Sequence, residues 1–282
     1  MAFCRILFKA VLAALFFSGL PRPALSAAET PPGQQLAGGR VCFSAFVNSS
    51  FRRRQKLTAW KTTALAIRRT LEIWYPEHLT CSFVENGPPE TFRQFLHGLP
   101  AGKDCGISLV YLCSHQSPAG EWDFPEEKLL PLDTLLGDAG IRENSRRIVI
   151  LDTCFAAAAG NQSLWRKLAP LSLFASQATE ETPEANFHSP QPVDYAHRYP
   201  AAYTWLKTTL GREWDGKISF LGFVWVQTFL QQKKAPHDIP GWLDFMEQCQ
   251  ATAAQFRQQV SKKSSSQITV TLKAGDKELS GK

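Results

Sequence analysis

A cysteine and a histidine, each at the end of a short apolar run, are the residues of this chain best suited by type and spacing to nucleophilic chemistry. Cys154 closes the run RRIVILDTC, residues 146–154, and His115 lies near the end of ISLVYLCSHQ, residues 107–116. A thiol attacks a carbonyl as its thiolate. An imidazole within hydrogen-bond reach takes the thiol proton and later hands it to the leaving group. Both runs are bounded by polar or turn residues, and the stretch between them is long enough for a crossover, so they read as parallel strands buried on both faces. Adjacent strands lie about 4.8 Å apart, and groups just past their carboxyl ends meet at the edge where open α/β sheets bind ligands. Singly, each residue has an ordinary reading: Cys154 as a buried inert thiol, His115 as a loop histidine. Jointly, at neighbouring strand ends, they read as a Cys/His dyad, with the start of a following helix favouring a thiolate at Cys154.

The elements that must position this pair follow in order. Residues 40–47, RVCFSAFV, predict a first strand, and residues 58–75 an amphipathic helix with Leu65, Ile67, Leu71 and Trp74 on its apolar face, stopped by Pro76. A second strand at 79–84 and a short helix at 90–98, with Phe92, Phe95 and Leu96 inward, lead to the strand that delivers His115. This alternation predicts an α/β doubly wound sheet. Residues 116–124 read as loop and 129–142 as the crossover before RRIVILD. After Cys154 a helix is expected towards Trp165 and Leu168, then a strand at 171–176 and a long Pro- and His-containing loop at 177–200. Residues 218–231 predict a helix buried all round, 242–260 a further helix, and 268–272 an edge strand before a frayed tail at 276–282. Aromatic residues between 199 and 225 read as core rather than interface, and Arg52, Arg53 and Arg54 as a solvated cluster.

The first 27 residues read as a cleaved secretory signal peptide: Arg5 and Lys9, an apolar core from Ala10 to Phe17, then small residues around Ser26. An uncleaved signal anchor is the alternative, although the apolar run is short for a membrane span. Residues 28–39 form a linker, and 40–275 one catalytic-sized domain. The expected location is therefore secreted or periplasmic, with no stable membrane anchor after cleavage. The chain carries a formal charge of +6, but the leader holds Arg5, Lys9 and Arg22 and no acid, so its removal leaves +3. That is too mild a charge for a nucleic-acid partner.

Six cysteines follow the leader. In an oxidising compartment Cys81 with Cys105 is the expected pair, while Cys42 and Cys113 read as small buried hydrophobes. The spacing offers no zinc or dithiol-exchange motif and no acidic calcium loop, so neither metal nor cofactor is expected.

The strand-plus-motif units YLCSHQ and RRIVILDTCFAA resemble the caspase-like cysteine peptidases, which include caspases, paracaspases, metacaspases and bacterial relatives. In order and spacing the resemblance covers most of residues 40–275. It implies a three-layer, caspase-hemoglobinase-like sandwich with a mostly parallel central sheet, and a thiol protease acting on a peptide or protein substrate. Cys154 is then the nucleophile, His115 the acid/base partner, and the backbone amides of Gln116 and Cys154 the oxyanion hole. Asp152 matches the acid that lines the S1 pocket of metacaspases and paracaspases and selects Arg or Lys; the other reading is a carboxylate capping the next helix. Glu180 and Glu181 fall where paracaspases place another pocket acid, or else lie on a solvated loop.

Three departures from the pattern stand out. Gln116 replaces the usual Gly after the histidine, Phe155 and four alanines follow the nucleophile, and no acid lies between residues 48 and 71. The caspase signature Q-A-C-x-G is absent, so cleavage after Asp is not expected. The resemblance thus implies a secreted cysteine endopeptidase cleaving after Arg or Lys. The alternatives are an inactive caspase-like pseudo-peptidase that binds peptides or proteins, and another cysteine hydrolase or transamidase on an α/β sheet. Oligomeric state is not legible in the sequence.

Overall fold

A computed structural model describes residues 40–280 apart from 52–55, 103, 126–128, 133, 136–144, 157–168, 170, 177–183, 189–193, 261–268 and 275–276. In chain order its elements are β1 (Val41–Val47), α1 (Thr58–Trp74), β2 (Leu79–Glu85), α2 (Pro89–His97), β3 (Ile107–Cys113), β4 (Glu121–Asp123), β5 (Leu129–Pro131), β6 (Arg147–Leu151), β7 (Leu171–Phe174), β8 (Glu184–Asn186), α3 (Tyr195–Arg198), α4 (Pro200–Leu210), β9 (Lys217–Ser219), α5 (Phe220–Gln231), α6 (Ile239–Val260), β10 (Thr269–Ala274) and β11 (Lys277–Ser280).

β1, β3, β6 and β7 consist wholly of buried residues, because each has helices or a hairpin over both of its faces. They form the centre of a seven-stranded sheet ordered β2-β1-β3-β6-β7-β10-β11. The first five strands in that order are mutually parallel, and β10 and β11 join antiparallel. Alternate residues feed two separate cores. Val41, Phe43, Ala45, Leu109, Tyr111, Ile148, Ile150 and Leu173 meet the helical layer of α1, α5 and α6, whereas Phe46, Val110, Leu112, Val149, Leu151 and Phe174 face α2 and the β4–β5 hairpin. The architecture is therefore an α/β sandwich of three layers with a mostly parallel central sheet.

α5 is apolar on all sides because it is enclosed by the other helices. Phe223, Val224, Trp225 and Val226 are at most 1% exposed, and burying such side chains contributes roughly 1.5–3 kcal/mol each. Ser219 caps this helix by accepting from the Gly222 N–H at 3.1 Å. Gly222 permits close contact with α1: a Cβ there would lie 2.3 Å from Thr63 Oγ1. The contact sets Ser219 beside the carboxyl ends of the sheet strands.

Several sequence expectations are revised. Residues expected as loop and crossover helix contain the β4–β5 hairpin, which forms because Trp122 is fully buried against Phe92 at 5.3 Å. The loop expected at 177–200 holds β8 and α3, and β9 occupies the expected start of the α5 helix. β10 is an inner strand, since β11, within the tail expected to fray, pairs with it. The helix expected after Cys154 and the cluster Arg52, Arg53 and Arg54 lie outside the described residues.

The disulfide joins Cys42 to Cys105, with Cα atoms 5.9 Å apart, and Cys81 is free and exposed. The register explains the correction. Cys81 lies opposite Phe43 on β2, so its side chain takes the face opposite that of Cys42, and β2 and β3 flank β1 on different sides. Cys105, two residues before β3, is instead brought to the start of β1, where Gly106 N–H donates to Arg40 O at 2.7 Å. Cys113 is buried and free, as expected.

Candidate active site

β3 and β6 are parallel neighbours in which Leu112 pairs with Leu151, and Asp152 N–H continues the ladder to Leu112 O at 3.0 Å. His115 and Cys154 each lie three residues beyond that rung, at the same edge of the sheet. Both are half-buried, so Cys154 is not the enclosed inert thiol of its ordinary reading. The residues just before them are joined directly: Thr153 Oγ1 donates to Ser114 O at 2.5 Å, with both residues about 1% exposed. The two strand ends are thereby held together immediately before His115 and Cys154.

The imidazole is positioned from the β1 side. Asn48 N–H donates to Cys113 O at 2.9 Å, and Asn86 Oδ1 accepts from the backbone N–H groups of Ser49 at 2.9 Å and Ser50 at 2.8 Å. These bonds fix the loop after β1, whose buried Phe51 packs its ring 4.7 Å from that of His115. Sequence reading missed Phe51. Its position directly after the turn Asn48-Ser49-Ser50 at the end of β1 was the available signal.

Cys154 occupies a turn held on several sides. The Ser176 hydroxyl, fully buried just past β7, donates to Thr153 O and accepts from Ala156 N–H, both at 3.0 Å. The Gln116 side chain donates through Nε2 to Phe155 O at 3.2 Å and accepts from the Trp122 indole N–H at 3.0 Å. Phe155 has φ +54°, in the left-handed region. Gln116 itself is not among the residues with positive φ, so its Cβ is accommodated without strain. It forms a bridge with Trp122 in which Ser117 N–H and Asp123 N–H make the flanking bonds, to Glu121 O and His115 O at 2.9 Å each. In such a non-hydrogen-bonded pair the backbone N–H of Gln116 points away from Trp122.

Asp152 is completely buried. Its Oδ2 accepts from the Tyr111 hydroxyl at 2.8 Å and from the Ser219 hydroxyl at 2.5 Å, and Ser219 Oγ lies 2.8 Å from Thr63 Oγ1. Its Oδ1 has no hydrogen-bond partner, nor has the buried Trp60 indole N–H. Burial raises the Asp152 pKa to about 6, opposed by the hydrogen bonds from Ser219 and Tyr111 and by the nearby Trp60 indole. The Asp152 carboxylate is thus a hydrogen-bonded structural group whose bonds go to the Tyr111 and Ser219 hydroxyls rather than to a backbone amide after it. Glu180 and Glu181 lie outside the described residues. Among the described residues no group of three or more His, Cys, Asp or Glu side chains is gathered as for a metal, and no helix is long and apolar enough to cross a membrane.

No family model matches the sequence, and no curated protein matches it. Among solved structures, the chain is similar to caspase-1 from Spodoptera frugiperda with a TM-score of 0.50 and 12% identity, over 84% of this chain and 87% of that one. At that identity the likeness concerns the fold, which is caspase-like.

Proposed function

We propose that the chain is a cysteine endopeptidase in which Cys154 is the nucleophile and His115 its acid/base partner. The observation that carries this reading is the register of β3 against β6, which brings the two residues to equivalent levels on neighbouring strand ends, tied by the Thr153 to Ser114 bond. His115 takes the Cys154 proton, and the thiolate adds to the peptide carbonyl. The resulting oxyanion accepts from the backbone N–H groups of Gln116 and Cys154, each such donor being worth roughly 3 kcal/mol in transition-state stabilisation. Collapse breaks the C–N bond, the amine leaves with the proton from His115, and a thioester remains on Cys154. Water, deprotonated by His115, hydrolyses it and restores the thiol.

Asp152 is the proposed S1 acid, selecting Arg or Lys at P1. Its place two residues before Cys154, at the end of β6, supports this, since a carboxylate there suits a cationic side chain. The N-terminal leader supports an extracytoplasmic location, secreted or periplasmic. Complete burial of Asp152 and the bulky, left-handed Phe155 beside the nucleophile favour the second reading, a pseudo-peptidase that binds peptides or proteins in the same cleft.

The test is incubation of the mature chain with a fluorogenic peptide library, with cleavage positions read by mass spectrometry beside a Cys154→Ala control. Cleavage after Arg or Lys that vanishes in the control is expected. No cleavage by a folded, reduced protein would transfer the assignment to the pseudo-peptidase.

A further inference from the structure

The geometry points to the side chain of Gln116 as the brace of the nucleophile's turn, a positioning residue that holds Phe155 in its left-handed conformation and thereby sets the direction of Cys154. The inference rests on the peptidase reading only in naming Cys154 as the nucleophile. A non-glycine residue at φ +54° is disfavoured, and such a conformation persists where its surroundings hold it.

The orientation of the Gln116 amide is not ambiguous. Trp122 Nε1–H is a donor only, so the atom 3.0 Å from it is the amide oxygen, and the amide NH2 must face Phe155 O at 3.2 Å. The indole is itself immobilised, being fully buried, tilted against Phe92 at 5.3 Å and paired with Gln116 through the backbone bridge. Gln116 is 5% exposed, so water competes little for its amide. A rigid chain of contacts thus runs from α2 through Trp122 and Gln116 to the carbonyl directly after Cys154.

Two of the departures from the caspase-like pattern become one device in this light. A glycine at 116 could not reach Phe155, and a glycine at 155 would not need to be held. The backbone of Gln116 also presents the proposed oxyanion donor, so one residue couples the position of the nucleophile to that of the hole.

The test uses the mature chain with Cys81→Ser, so that alkylation by iodoacetamide reports on Cys154, since Cys113 and Cys249 are buried and Cys42 is paired with Cys105. The rate of Cys154 alkylation is followed against pH by intact mass in Gln116→Ala, Gln116→Glu, Phe155→Gly and the double variant Gln116→Ala/Phe155→Gly. Gln116→Glu retains the acceptor for Trp122 but cannot donate to Phe155 O. Both single changes at 116 should slow alkylation at least tenfold or move the midpoint of its pH profile by at least half a unit. On a cleaved peptide they should lower kcat in proportion, with KM within threefold. Adding Phe155→Gly should bring the Gln116→Ala variant back to within threefold of the parent, because glycine adopts the turn unaided. An unchanged profile in folded Gln116→Glu, or a double variant no better than the single, would overturn the brace. Peptide turnover absent from the parent would instead count against the peptidase, while alkylation and its rescue still decide the role of Gln116.

Discussion

Neutralising Asp152 should make the protein more stable at neutral pH while abolishing cleavage after Arg. The carboxyl has a pKa of about 6 in the folded chain against an ordinary value of 3.8, because it is wholly buried. The fold therefore binds the protonated form more tightly than the unfolded chain does. Its favourable contribution is complete below about pH 3.8 and is lost as pH rises through about 6. A shift of this size corresponds to roughly 3 kcal/mol of destabilisation at pH 7.5, at about 1.4 kcal/mol per pH unit. Asp152→Asn removes the charge and keeps an oxygen to accept from Tyr111 and Ser219. Its NH2 would face the unpaired Trp60 N–H, donor against donor, which takes back on the order of 1 kcal/mol. A net gain of about 2 kcal/mol at pH 7.5, turning into a small loss, about half a kcal/mol, by pH 4, is the expected result from urea denaturation at the two pH values with the disulfide intact. Cleavage after Arg should fall by at least a hundredfold, while alkylation of Cys154 by a small reagent changes little. Equal or lower stability of Asp152→Asn at pH 7.5 would refute the reasoning, because it would make the charged carboxylate a net contributor to the fold.

Peptide mapping under non-reducing conditions should recover Cys42 linked to Cys105 and Cys81 available to alkylation; the double change Cys42→Ser/Cys105→Ser, which opens a loop with a sequence separation of 63, should cost on the order of 3–4 kcal/mol in urea denaturation. Gly222→Ala drives a methyl into Thr63 at the α1–α5 contact and should lower stability by roughly 1–3 kcal/mol, measured by thermal unfolding, and disturb the Ser219 bond to Asp152. Ser176→Ala removes both bonds that close the Cys154 turn and should lower kcat at least tenfold, with a stability loss of about 1–3 kcal/mol.

The parallel core strands were legible because fully buried strands read as continuous apolar runs, and RRIVIL and ISLVYL are such runs. Their adjacency agrees with the crossover length between them, and it puts the positions of His115 and Cys154 beyond neighbouring strand ends. The β4–β5 hairpin was not legible, since Glu121–Asp123 has no strand pattern of its own and pairs because Trp122 is buried against Phe92. The disulfide partner was missed because pairing depends on which face each strand residue takes, and that requires the register of β1 against both neighbours. The supports of the site were hidden for a related reason. Ser176, Ser219, Tyr111 and Trp122 lie on four different elements, and single hydroxyls or an indole in apolar sequence carry no mark of the partners that folding gives them. Gln116 was read for its backbone amide and as a missing glycine, whereas its side chain reaches Phe155 across 39 residues of sequence.

The most direct measurement of the central claim is covalent trapping. The mature chain, its His115→Ala variant and its Asp152→Asn variant are treated with a peptidyl acyloxymethyl ketone bearing Arg at P1, and adducts are located by intact mass and peptide mapping. One thioether on Cys154 is expected, forming at least a hundredfold more slowly in His115→Ala and also slowed in Asp152→Asn. Labelling that falls on Cys81 instead, or that proceeds at the same rate without His115, would contradict the assignment of the dyad.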